Sequence, residues 1–117
     1  MEFDAARHTY VAESRDLLQA LEDLLLQAEQ TEVDAEAING MFRSVHTIKG
    51  SAGLFGFDVI VAFTHVVENA LDRVRDGTLP LDKSLIALLL ECRDHIGTLI
   101  TDVADQGRAP DASVLAG

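Results

Sequence analysis

With 117 residues, 20 of them acidic and 9 basic, the chain carries a formal charge of −11, which repels phosphate backbones and anionic lipid surfaces and argues against nucleic acid or a membrane as partner. Its aromatic residues are 5 Phe and 1 Tyr with no Trp, too few for a base-stacking surface, and its 1 cysteine, Cys92, excludes an internal disulfide or a multi-cysteine zinc site. The start MEFDAARHTY lacks the basic and apolar blocks of a signal peptide, and no run approaches the ~18 apolar residues of a membrane span, so the expected setting is the cytoplasm.

The first element is a long amphipathic helix over about residues 3 to 29. Phe3, Tyr10, Leu17 and Leu24 recur every seventh residue, with Ser14, Leu21 and Ala28 between them and Leu18 and Leu25 widening the stripe. Thr31 to Asp34 then reads as a turn whose last residue, Asp34, supplies an N-cap. Ile38, Met41, Phe42, Val45, Ile48, Ala52 and Phe55 follow at helical spacing and predict a second helix over 35 to 55.

Gly56 and Phe57 break that pattern, and Asp58 is the expected cap of a third helix with Ile60, Phe63, Val67, Ala70, Leu71 and Val74 on its apolar side. Gly77 is expected to cap its C-terminus, and Pro80 to stand at or just before the next helix start. Leu85, Leu89, Cys92, Ile96, Leu99 and Val103 mark a fourth helix to about residue 105. Residues 107–117, GRAPDASVLAG, read as a linker or the start of a further helix, which leaves 1–106 as the folded unit. Four amphipathic helices with short connections imply an all-α, up-down-up-down antiparallel four-helix bundle.

The second helix contains a residue set that burial does not explain. His46 sits at the edge of its apolar stripe, and Gly50 and Gly53 follow on the same face at i+4 and i+7. A glycine inside a helix costs roughly 1 kcal/mol relative to alanine. Two readings account for that cost: the glycines clear a flat approach to the imidazole, or they permit close packing of a neighbouring helix.

If the second and third helices fold back about residue 57, positions equally far before and after it lie level. His46 then faces Glu68, and Lys49 faces His65. His46 and Lys49 are three apart, as are His65 and Glu68, so helical spacing and hairpin symmetry assemble one polar cluster. A glutamate accepting the Nδ1 proton of an imidazole leaves Nε2 with a free lone pair, and a lysine beside it suits a phosphoryl group. The expected chemistry is a histidine that takes up phosphoryl on one nitrogen and hands it on. A metal site is disfavoured because a lysine stands among the ligands, and no Ser or Cys is placed to use His46 as a base. His8 and His95 have no comparable company and read as surface or rim residues.

FRSVHTIKGSAGLFGF at 42–57, followed by THVVENALDRVRDG at 64–77, resembles the N-terminal histidine phosphotransfer (HPt) domain of chemotaxis kinases of the CheA class, from about Phe3 to Val103. The resemblance implies His46 as phospho-acceptor, Glu68 as its hydrogen-bonded orienter, and Lys49 and His65 as members of the polar network. Gly50 and Gly53 match the small positions beside the histidine, and Ser51 stands where many members have glycine. It further implies a phosphoryl carrier that is no enzyme by itself and binds no cofactor. ATP and Mg²⁺ belong to its partners, a CheA kinase domain and a CheY-like or CheB-like response regulator. The competing reading is a helical adaptor that binds a partner without covalent chemistry.

Overall fold

The computed structural model of the chain describes residues 2–106, with side chains over 5–105. The expected linker or further helix at 107–117, and the side chain of Phe3, lie outside the described residues. Within them the elements are α1 (Glu2–Gln30), α2 (Ala35–Phe55), α3 (Asp58–Arg75) and α4 (Lys83–Gln106), with no strand. α1 packs on α2 and α4, and α3 on the same two, so each helix touches its chain neighbours and α4 closes back on α1. This is the up-down-up-down bundle expected from short connections.

The core is built where the four stripes meet, with Leu25, Met41, Ile48, Leu71, Ile96 and Ile100 wholly removed from solvent. Each such side chain contributes roughly 1.5–3 kcal/mol by its burial. The centre of the stripe differs from expectation on two helices. On α1 the deepest residues are Leu18, Leu21 and Leu25, while Leu17 and Leu24 flank them; on α4, Ile86 and Ile100 go in and Leu85, Cys92, Leu99 and Val103 line the margin. A sevenfold repeat slips by about 20° per heptad on a straight helix, so residues read along it drift off the buried seam.

The helix ends explain how the hairpin between α2 and α3 is set. Asp34, in extended conformation, accepts from Ala37 N at 2.9 Å through Oδ1 and caps α2 as expected. Gly56 takes the left-handed conformation at φ +73°, where a side chain would be strained, and Phe57 N then donates back to Ala52 O at 3.0 Å. The cap of α3 is a correction. Asp58 is already the first helical residue, and Phe57 precedes it without any capping side-chain bond. Ring packing fixes the reversal instead: Phe57 stacks on Phe55 at 5.3 Å and 9°, and both rings lie 5.6 Å from Tyr10 of α1. Asp58 still places its charge in the first turn, where the helix dipole favours it.

At the other end of α3 the cap position falls to Asp76, one residue before Gly77. Gly77, at φ +86°, donates to Val74 O at 3.2 Å, and Thr78 N reaches Arg73 O at 3.0 Å. α4 begins at Lys83, and Asp82 caps it by accepting from Leu85 N at 2.9 Å, so Pro80 lies within the connection.

Candidate functional site

The hairpin brings α2 and α3 together as its symmetry about residue 57 requires. Val45 and Ile48 are buried, which turns His46 to the edge of the α2–α3 seam and Lys49 into it. On α3, Val67 and Leu71 anchor the core and carry Glu68 with them, leaving its side chain only 9% exposed. The Glu68 carboxylate is the hub: Oε2 meets His46 Nδ1, and Oε1 accepts from Lys49 Nζ at 2.5 Å. His65 Nδ1 stands 3.7 Å from Oε1, so His65 borders the cluster at ion-pair range. Lys49 and His65, expected to face one another, both turn towards Glu68.

Burial pushes the Glu68 carboxyl towards its neutral form, but the hydrogen bonds and charges of Lys49 and His46 outweigh it and hold the group below the usual carboxylate range. Glu68 is therefore ionised at neutral pH and can only accept. In the neutral ring the proton on the shared edge is then on His46 Nδ1, which leaves Nε2 with its lone pair. That side chain is 60% exposed, and Nε2 has no hydrogen-bond partner among the described residues. The ring thus offers one bound edge, whose Nδ1–H donates to Glu68, and one open edge, whose Nε2 is the basic and nucleophilic nitrogen.

Gly50 and Gly53 are both exposed, and a Cβ added at either meets nothing within 4 Å. Neither is needed for helix packing. Gly40 is the glycine of α2 that packing does use, since a Cβ there would come within 3.2 Å of Leu24 Cδ1. His95 makes a T-shaped contact with Phe63, ring centroids 4.5 Å apart, on the α3–α4 side, and His8 is exposed on α1, so both stand apart from the cluster. Among the described residues no group of three His, Cys, Asp or Glu is arranged to hold a metal ion. No described helix is long and apolar enough to cross a membrane.

Two further residues touch the site. Phe42 stacks on His46, with ring centroids 5.8 Å apart and planes at 11°, and the Arg75 guanidinium lies 4.1 Å over the Phe42 ring. In the sequence Phe42 falls on the apolar stripe of α2, and Arg75, apart from its spacing, carries no signal that ties it to the histidine. The usable signals were the spacings: Phe42 is one turn before His46, and Arg75 is two turns after Glu68.

A family model described as the Hpt domain matches residues 5–106. The chain is 38% identical over 105 residues to the chemotaxis protein CheA of Salmonella typhimurium, covering 90% of this chain and 16% of that protein. Against CheA of Listeria monocytogenes it is 34% identical over 99 residues, covering 85% of this chain and again 16% of the relative. The chain therefore spans 16% of the length of these curated relatives. Among solved structures it resembles the phosphorylated P1 domain of CheA3 in complex with CheY6 from R. sphaeroides, with a TM-score of 0.83 and 28% identity over 88% of this chain and 80% of that one. The CheA phosphotransferase domain from Thermotoga maritima matches with a TM-score of 0.79 and 32% identity, over 86% of this chain and 95% of that one.

Proposed function

The chain belongs to the Hpt domain family, and from that premise we propose that His46 is the phosphoryl-accepting residue of a CheA-like relay. The observation that supports this most directly is the division of the imidazole between a carboxylate-bound Nδ1 and an exposed Nε2. A kinase domain holding ATP and Mg²⁺ presents the γ-phosphorus to Nε2. The lone pair forms the N–P bond as the bond to the bridging oxygen breaks, and ADP leaves. The ring becomes more cationic as the bond forms, and the ionised Glu68 opposite Nδ1 stabilises that charge. Lys49, bonded to the same carboxylate, adds a positive charge near the incoming phosphoryl oxygens.

In the second step an aspartate of a CheY-like or CheB-like response regulator attacks the phosphorus. The N–P bond breaks, and Nε2 recovers its lone pair. The chain supplies a nucleophile and its orientation, while metal and nucleotide are brought by the partners, so the domain acts as a carrier and the cytoplasm is its setting. Gly50 and Gly53 keep the face beside His46 flat for the visiting protein. An adaptor without covalent chemistry would need no free Nε2.

The test is labelling by a CheA kinase domain and ATP. Wild-type chain should gain acid-labile, alkali-stable phosphate, and His46→Gln should gain none while keeping its helicity. Labelling of the Gln variant at the wild-type level would refute the assignment.

A further inference from the structure

The His46 ring is restrained by two contacts of different kinds. The hydrogen bond from Nδ1 to Glu68 sets the tautomer and holds one edge of the ring. The opposite edge, with Nε2, projects outwards, and one hydrogen bond leaves the ring able to tilt about its anchored side. The second contact is a surface. Phe42 lies nearly parallel to the imidazole at 11°, and Arg75 covers Phe42 from α3 at 4.1 Å. Arg75 is held in turn by Asp72, with an N–O distance of 2.6 Å.

Geometry connects this column to the chemistry. The Nε2 lone pair lies in the plane of the imidazole, so attack in line with the leaving oxygen requires that plane to contain the phosphorus. Tilting the ring mis-aims the lone pair even with the Glu68 bond intact. A planar stack constrains the tilt that a single hydrogen bond does not, and a guanidinium on an aromatic face is an attraction strong enough to hold the wall. Crossing from α3 to α2, the Arg75 contact also ties Phe42 to the helix that carries Glu68, so one rigid pair of helices supplies both restraints.

We propose that Phe42, clamped by Arg75, is a positioning residue that fixes the plane of the His46 imidazole and so aims Nε2 at the phosphoryl donor. This rests on the reading of His46 as the acceptor. Phe42 touches neither ATP nor the regulator in this scheme; it acts through the histidine.

The experiment compares Phe42→Leu, Phe42→Tyr and Arg75→Gln with wild type in two measurements. The first is side-chain NMR of the His46 ring in the unphosphorylated domain, by ring relaxation and χ-angle couplings. The second is the rate of phosphorylation by a CheA kinase domain, resolved into kcat and KM. Phe42→Leu should loosen the ring and lower kcat by about tenfold with KM nearly unchanged, as expected for misaligned reacting atoms. Phe42→Tyr keeps the planar wall and should stay close to wild type. Arg75→Gln, at an exposed position where folding is not at risk, should give a smaller loss of kcat with a measurable loosening of the ring. Unchanged ring order and kcat in both Phe42→Leu and Arg75→Gln would overturn the proposal, as would equal losses in the Leu and Tyr variants, which would mark Phe42 as mere packing. A wild-type domain that takes no label at His46 would instead overturn the acceptor reading on which the proposal stands, while the NMR would still report whether the stack restrains the ring.

Discussion

Glu68 is a carboxylate that burial alone would push towards neutrality, and it is kept ionised by the two groups it serves. Glu68→Ala should slow phosphorylation of His46 by about 10- to 100-fold, the range for losing a ligand's orienting partner, without unfolding the domain. Nitrogen NMR supplies the independent check, because the intact domain should show the His46 proton on Nδ1, and finding it on Nε2 would contradict the scheme. The lowered carboxyl also has a sign in pH. A group whose folded pKa lies below its unfolded value stabilises the fold above the unfolded pKa, and that contribution disappears as pH falls through the folded one. On acidification through and below the ordinary carboxylate range, wild type should lose melting temperature more steeply than Glu68→Gln; parallel curves would mean that the ion pairs add nothing. At this scale the polar residues were legible because helical spacing and the hairpin about residue 57 are both visible in the chain. Phe42 and Arg75 were not, since an aromatic on an apolar stripe reads as core and an arginine in a last turn reads as a partner for the helix dipole.

α2 shows what can be read from an element and what cannot. Its limits were legible because a side chain, Asp34, and a left-handed glycine, Gly56, end it chemically. The start of α3 was legible to within one residue but its cap was not, because three packed rings there replace the expected capping bond. The stripes of α1 and α4 were located but centred slightly off, since only packing between helices decides which of two adjacent leucines turns in. The interior glycines are where the structure adds most. With open space beside both, Gly50→Ala and Gly53→Ala should each stabilise the domain by about 0.5–1 kcal/mol, read as a rise in melting temperature. Gly53→Leu should likewise not destabilise it, yet should slow transfer to the regulator by placing bulk along the His46 face. A lower melting temperature with an unchanged transfer rate for the folded fraction would sink the access explanation.

Across the whole molecule, stability and chemistry occupy different places. The cluster lies on the α2–α3 seam, whereas Ile96 and Ile100 of α4 hold the centre of the bundle. Ile96→Ala should therefore cost about 2–5 kcal/mol in thermal or denaturant unfolding and leave the labelling rate of the folded fraction as it was. His95→Gln, on the α3–α4 side and outside the cluster, should label normally; a large loss there would show that the chemistry reaches beyond the α2–α3 seam.

The single open edge of His46 has a consequence for traffic. Under the proposed function, donor and acceptor proteins must both come to Nε2, because Nδ1 is committed to Glu68. They cannot be there together. The domain then works as a turnstile that admits one visitor at a time: loading and unloading obey ping-pong kinetics, and a regulator lingering over the histidine shuts the kinase out. Flux through such a relay is greatest when regulators leave quickly, so weak, brief encounters suit this surface better than tight ones.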